Sequence, residues 1–269
     1  MTLKQVLGPV LTKKELSIAP TSFDIVGDIM IFADFPKELE KKQKKIGEAI
    51  IKNFKNVGVV CKKVRKYGGQ FRTPILRIIA GERRKETLCM ENGARIKLHV
   101  EKCYFSTRLS NERKRIYQLV KPGERILVMF SGVAPYPLVI AKNTKAKEIA
   151  GVEKNPAAHK YAEENVKLNK APNIRLFCGD VRDIVPKLGK FDRILMPLPK
   201  GAEKYLDVAK KASKRGTVVH FYDFLNERDF ELAEKKIRKS FKRAESLGLV
   251  KCGQYGPGVF RVCLDFASP

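Results

Sequence analysis

Four short segments carry residues able to hold a small polar ligand. Phe130-Ser131-Gly132-Val133-Ala134 is a small-residue loop, where missing side chains let a ligand approach the backbone. Glu153, followed by Lys154-Asn155-Pro156, can bind both hydroxyls of a ribose or stand as an acid at a helix N-terminus. Asp180, in Cys178-Gly179-Asp180-Val181-Arg182-Asp183, can accept from an adenine amino group or cap the helix after it. Asp192-Arg193-Ile194-Leu195-Met196-Pro197-Leu198-Pro199 ends an apolar run in two prolines, a stiff turn that can wall a pocket for a planar base. His99, His159 and His220 lack metal-ligand spacing, so a structural role and no metal are expected.

Each of these segments sits where an apolar run ends, so strands must present them. Arg125–Phe130, Lys147–Glu153, Ile174–Cys178, Phe191–Met196 and Gly216–Phe221 read as buried strands separated by helical patterns. One such helix runs from Pro156 with Ala158, Tyr161, Ala162, Val166 and Leu168 inward. Strand and helix in turn imply a mostly parallel, doubly wound α/β sheet, whose ligands sit beyond the strand C-termini. A last helix over about 227–244 precedes Leu247–Gln254 and Val259–Phe266, expected as an antiparallel edge hairpin.

Upstream, Ser22–Phe32 reads as a strand or a bent hairpin with Gly27 at a turn or bulge, and Pro36 opens a helix to about Phe54. Val57–Val64, Ile75–Ala80, Thr87–Met90 and Ile96–Val100 follow as strands. The expected division is a smaller basic α+β domain over 1–106 and the doubly wound domain over 107–269. Residues 1–20 carry too little pattern to place.

Charge points to the partner. Lys and Arg number 55 against 29 Asp and Glu, and residues 51–100 alone hold 13 basic and 3 acidic residues. A thermophile-type surface would carry nearly as many Glu as Lys, so nucleic acid is the expected partner. At 43% hydrophobic the chain is an ordinary folded protein, and no apolar run reaches the roughly 18 residues of a membrane span. The N-terminus lacks a signal layout, and the six scattered cysteines contain no CxxC pair. A cytoplasmic protein with reduced thiols is expected, which disfavours a disulfide scaffold or zinc ribbon.

The four strand-end segments, in this order, resemble the class I S-adenosylmethionine-dependent methyltransferase fold. A nicotinamide site fits less well, because no G-x-G-x-x-G follows the first strand. Three further marks narrow the resemblance: Tyr104-Phe105-Ser106-Thr107-Arg108-Leu109-Ser110-Asn111-Glu112-Arg113, Phe130–Pro135 and Met196–Lys200. With Gly69-Gln70-Phe71-Arg72 and Ala80-Gly81-Glu82, the chain resembles the archaeal and eukaryotic tRNA (guanine-37-N1)-methyltransferases from about Ser22 to Phe266. Its opening segment matches a form in which the extra N-terminal domain is absent or cut to some twenty residues.

The resemblance implies methyl transfer from S-adenosylmethionine to N1 of guanosine 37, beside the anticodon. Guanine N1 is protonated at neutral pH, so a base must take that proton while a cation stabilises charge growing on O6. By resemblance Glu112 is the base, Arg72 the donor to O6, and Pro199 lines the pocket. The implied cofactor contacts are Phe130, Gly132, Val133, Glu153, Asn155, Asp180, Val181, Met196 and Arg108. RNA contacts are expected from Tyr104, Arg108, Arg113, Lys62, Lys63 and Arg65 on a chain acting as a monomer, with the anticodon loop and stem as partner. The chain departs from the family pattern at Val128, Ala134 and Pro197. Two alternatives remain: aminocarboxypropyl transfer in the wybutosine pathway, or a bifunctional enzyme that also methylates a tricyclic guanosine. A non-catalytic RNA-binding protein is the reading from another class.

Overall fold

The computed structural model describes residues 2–198 and 200–269. The chain divides into two compact units. One comprises residues up to Met90 together with Ile96–Thr107, and the other Glu91–Arg95 together with Arg108–Pro269.

The first unit opens with two short helices, α1 (Leu3–Leu7) and α2 (Lys13–Ser17). Each begins with a reciprocal capping box, Thr2 with Gln5 and Thr12 with Glu15, which satisfies backbone donors that a five-residue helix would leave open. β1 (Phe23–Val26) and β2 (Ile29–Phe32) pair antiparallel around Gly27, whose φ of +58° suits glycine. A 3-10 turn over Lys37–Lys42 leads into α3 (Gln43–Asn53), and Pro36 stands at its start as expected. β3 (Val59–Gly68) then lies parallel to β2 and antiparallel to β4 (Thr73–Gly81), giving the order β1-β2-β3-β4. Met30, Phe32, Leu39, Ile46, Ile50 and Val60 form its core with Val6 and Leu7. β5 (Glu86–Glu91) and β6 (Ala94–His99) form a separate two-stranded sheet.

In the second unit α4 (Ser110–Gln118) precedes β7 (Arg125–Met129), α5 (Pro135–Asn143), β8 (Glu148–Glu153), α6 (Pro156–Leu168) and β9 (Ile174–Cys178). A one-turn α7 (Val181–Ile184), β10 (Phe191–Met196), α8 (Leu206–Ala212), β11 (Ser213–Asn226), α9 (Glu231–Ser240), β12 (Glu245–Gly256) and β13 (Val259–Ala267) complete it. The sheet order is β12-β13-β11-β10-β7-β8-β9. β11, β10, β7, β8 and β9 run parallel, whereas β13 is antiparallel to both β11 and β12. This is the doubly wound class I methyltransferase fold with an antiparallel edge hairpin. Because β8 and β9 lie on one side of β7 and β10 and β11 on the other, the strand order reverses between β7 and β10.

Two elements differ from the sequence reading. The expected 227–244 helix is a 3-10 turn at Glu227–Asp229 followed by α9. β11 runs five residues past Phe221, because Tyr222–Asn226 find ladder partners on β13 from Cys263 back to Val259. One face of β11, carrying Val219, Phe221 and Leu225, packs into the main core with Val262, Leu264 and Phe266. The opposite face carries His220, Tyr222 and Phe224, as the two-residue period of a strand requires.

Candidate functional site

The C-terminal rim of the parallel strands is built from strained backbone. Phe130, Gly132 and Ala134 all adopt left-handed φ, at +57°, +57° and +66°. That conformation costs a residue with a Cβ about 1–2 kcal/mol, so Phe130 and Ala134 persist here only because their neighbours hold them. The loop is fastened from several sides. Ser131 N–H donates to the Val152 carbonyl at 2.9 Å, and buried Asn165 donates to the Val133 carbonyl at 3.1 Å. Phe130 packs edge-on against Tyr205, with centroids 5.0 Å apart.

Glu153 is the central fastener. Its Oε2 accepts the Gly132 N–H at 2.7 Å and its Oε1 accepts the Asn155 N–H at 2.7 Å. Burial raises its carboxyl above the usual range, against the pull of those backbone donors. The Lys154 N–H also bonds this carboxylate, and a carboxylate's roughly four acceptor sites leave capacity for a ribose hydroxyl beyond these three backbone donors. Asn155 caps α6 by accepting from Ala157 N–H at 3.0 Å. Asp180 caps α7, accepting from Arg182 N–H at 3.0 Å, and pairs with Lys154 at 3.0 Å. The Arg182 N–H foremost, and then Lys154, hold its carboxyl below the ordinary range against burial. The cap is formed, and because it uses only part of a carboxylate, acceptor capacity remains at Asp180. Ser131 adds a buried hydroxyl without a hydrogen-bond partner among the described residues. An acid with spare lone pairs, an unsatisfied hydroxyl and left-handed backbone together fit a nucleoside cofactor. Val181 and Met196, also expected at the cofactor, have their side chains buried in the core, which leaves their backbone at the strand ends.

A second constellation lies on the other face of β11. Glu112, on α4, is buried, and its two oxygens accept from Arg115 Nε and Nη2 at 2.8 Å each. Tyr222 donates to Glu112 Oε1 at 2.6 Å, and Tyr136 donates to the Tyr222 hydroxyl at 3.2 Å. Arg115 continues to Asp265 at 2.6 Å, and Asp265 meets His220 Nδ1 at 2.6 Å. The far ring nitrogen of His220 lies 2.7 Å from Arg193, which also pairs with Glu124 at 2.8 Å. Because Arg193 can only donate, Nε2 must accept and the imidazole proton sits on Nδ1 toward Asp265. Thus His220, Cys263 and Asp265, although clustered, form part of an ion-pair chain whose histidine nitrogens are both engaged. Burial lowers the His220 imidazole, while His220 foremost, and then Arg115, hold Asp265 well below the carboxylate range against burial.

Two expected RNA contacts are corrected. Arg113 is buried, clamps Glu91 through two 2.5 Å hydrogen bonds and lies over the Tyr136 ring. Lys62 is 3% exposed, pairs with Glu40 at 2.7 Å and lies over Phe35. Both cations serve the interior of their own unit. Arg65 and Arg108 are exposed, as is Tyr104, and Lys63 is half-buried. Arg72 is half-buried in the β3–β4 turn with a left-handed φ of +50°, a conformation uncommon for a residue with a side chain. Pro199 lies outside the described residues.

The sequence reading missed Tyr222, Arg115 and Asp265. A signal did exist: His220-x-Tyr222 and Cys263-x-Asp265 place polar groups at alternate positions of otherwise apolar strand runs.

Comparison with known proteins follows the same lines. The TRM5/TYW2 methyltransferase domain matches residues 87–249, and the TYW2 N-terminal domain matches residues 3–84. The tRNA (guanine(37)-N(1))-methyltransferase Trm5b of Pyrococcus abyssi is 41% identical over 252 residues, covering 92% of this chain and 74% of that protein. The tRNA (guanine(37)-N(1))/4-demethylwyosine(37)-methyltransferase Taw22 of Nanoarchaeum equitans is 33% identical, covering 80% and 88% of the two chains. A solved structure of aTrm5 with tRNALeu superposes with a TM-score of 0.89 at 32% identity, covering 100% of this chain and 78% of that one. The chain belongs to the TRM5/TYW2 methyltransferase family.

Proposed function

We propose that this chain methylates N1 of guanosine 37 in tRNA, using S-adenosylmethionine. The observation that carries the reading is the rim beyond β7, β8 and β9, where Glu153 fastens the left-handed loop at Gly132 and keeps acceptor capacity for a ribose. Identity of 41% with a relative named for this activity supports it. Phe130, Gly132, Val133, Glu153, Asn155 and Asp180 would hold the cofactor, with the backbone of Val181 and Met196. When bound, S-adenosylmethionine supplies an electrophilic methyl group on a sulfonium, whose broken bond leaves its electron pair on sulfur.

Glu112 takes the N1 proton, so that the ring nitrogen can attack as its new bond to carbon forms. Arg115 and Tyr222 both donate to this carboxylate, which fixes the direction in which its remaining lone pairs point. Arg72 is assigned to O6 on the resemblance, where a planar charged fork meets the growing oxyanion. Tyr104, Lys63, Arg65 and Arg108 contribute to binding of the anticodon stem and loop. The protein acts as a cytoplasmic monomer on this reading. Among the described residues no helix is long and apolar enough to cross a membrane.

A second reading has its own support, because residues 3–84 match the TYW2 N-terminal domain. Relatives also include a Pyrococcus horikoshii tRNA(Phe) (4-demethylwyosine(37)-C(7)) aminocarboxypropyltransferase, 30% identical and covering 98% of this chain. One experiment separates the two. Unmodified tRNA is incubated with S-adenosylmethionine labelled in either the methyl or the aminocarboxypropyl group, and the nucleosides are then analysed. The proposal expects methyl label in N1-methylguanosine, lost when guanosine 37 is replaced. Label entering only from the aminocarboxypropyl position, on a tRNA carrying 4-demethylwyosine, would establish the second reading instead.

A further inference from the structure

β11 continues past the strand ends of its parallel neighbours, and the overhang carries an aromatic cluster that the reaction chemistry does not use. Phe224 and Tyr255 stack with centroids 4.3 Å apart and planes 35° from parallel, and the Arg261 guanidinium lies 5.1 Å over the Phe224 ring. Phe224 and Arg261 are directly opposite in the β11–β13 ladder, so both project from the same face. Tyr255 is 69% exposed, an unusual position for a ring that already has a stacking partner on one side.

Beneath the cluster, two positions of the strand carry no side chain. Gly253 pairs with Arg261, Gly256 follows Tyr255, and nothing lies within 4 Å of a Cβ placed at either. β12 also shifts register at Lys251/Gly253 and at Gln254/Gly256, which bends this outer strand. Glycine in a strand with open space above it marks a place where a ligand comes close to the backbone.

Position along β11 relates this shelf to the proposed base. Tyr222, which donates to Glu112, and Phe224 are two residues apart on one face, a spacing of about 7 Å. That matches the step between neighbouring nucleotides in a single strand. A planar shelf of aromatic rings backed by a guanidinium, in a chain of net charge +26, complements a polyanion with unstacked bases.

We propose that Tyr255, Phe224 and Arg261 form a base-stacking platform for a nucleotide adjacent to the one that reaches Glu112. The partner is a single-stranded RNA loop. The inference rests on the proposed RNA substrate and adds the surface that holds the flanking base.

The test uses the full chain and an anticodon stem-loop RNA bearing the fluorescent base 2-aminopurine at position 36 or 38, on either side of guanosine 37. Stacking quenches this probe. The wild-type protein is expected to quench one of the two positions. Tyr255→Ala abolishes that quenching, weakens RNA binding at least about fivefold and raises KM for RNA more than it lowers kcat. Tyr255→Phe retains all three, because the ring and not the hydroxyl does the stacking. If the wild type makes N1-methylguanosine but quenches neither probe, or if Tyr255→Ala binds as the wild type does, the platform is overturned and the methyltransferase reading stands. If the wild type neither binds the RNA nor forms product, both fall together.

Discussion

The two halves of the site are held in different ways. At the rim after β7, β8 and β9, backbone N–H groups and left-handed residues set the geometry, and Glu153 and Asn155 act largely through the main chain. On the α4 side of β11, side chains hold side chains: Glu112, Arg115, Asp265, His220, Arg193 and Glu124 form one chain of ion pairs and hydrogen bonds. A rim of this kind suits a ligand that is always the same, because its shape is fixed by local chain geometry. A side-chain network suits a proton transfer, because it orients one carboxylate. The difference predicts that substitutions in the two places fail in different ways.

The largest effect is expected at Glu112. Glu112→Gln keeps the shape but cannot take the N1 proton, and single-turnover methylation falls about 10²- to 10⁴-fold while cofactor affinity changes less than about threefold. A loss of cofactor binding of the same size would erase the distinction between the two regions. Glu153→Gln behaves in reverse. It turns an NH₂ toward one of two backbone donors and weakens cofactor binding by roughly ten- to a hundredfold, as read by calorimetry. Tyr222→Phe removes one donor from Glu112 without emptying the site, and slows chemistry about five- to tenfold with KM for RNA unchanged.

The side-chain network also carries a pH signature, set by a buried histidine. His220 is neutral in the fold because burial lowers it, whereas in the unfolded chain it protonates below about pH 6.5. Unfolding therefore takes up a proton there, so this stability is present above about pH 6.5 and is lost as pH falls. Melting temperature measured from pH 7.5 to 5 should decline, and His220→Gln should flatten that decline. Asp265 adds a similar loss further into acid, since its folded carboxyl is lowered. The smallest effect belongs to the rim. Ala134→Gly relieves a φ of +66° and is expected to be neutral or to stabilise by up to about 1 kcal/mol in denaturant unfolding. In most positions the same exchange would destabilise.

The contrast between the two regions is also a contrast in what a sequence reveals. Rim residues lie within a few positions of strand ends, and Ile174–Cys178 and Phe191–Met196 have the bounds that their apolar runs indicate. Glu153 and Asp180 are singled out by that placement, whereas Asn155 is named through the family resemblance. The network is nonlocal: Arg115 and Asp265 are 150 positions apart, and no periodicity pairs them. Charge composition misleads for a related reason. It counts Lys62 and Arg113 with the other cations, although the strand pleat turns Lys62 toward Glu40 and α4 turns Arg113 toward Glu91. The first two helices fail for want of length. Their signal is the capping pair Thr2/Gln5 and Thr12/Glu15, not a hydrophobic period, which five residues cannot display.

The most direct test of this division of labour is a cofactor titration of single-turnover methylation on tRNA carrying guanosine 37, run on Glu153→Gln and Glu112→Gln side by side. Saturating S-adenosylmethionine should return Glu153→Gln to within a few fold of the wild-type rate and leave Glu112→Gln as slow as before. Rescue of Glu112→Gln by cofactor, or a Glu153→Gln rate that stays depressed at saturation, would contradict the assignment of the rim to cofactor binding and of the β11 face to proton removal.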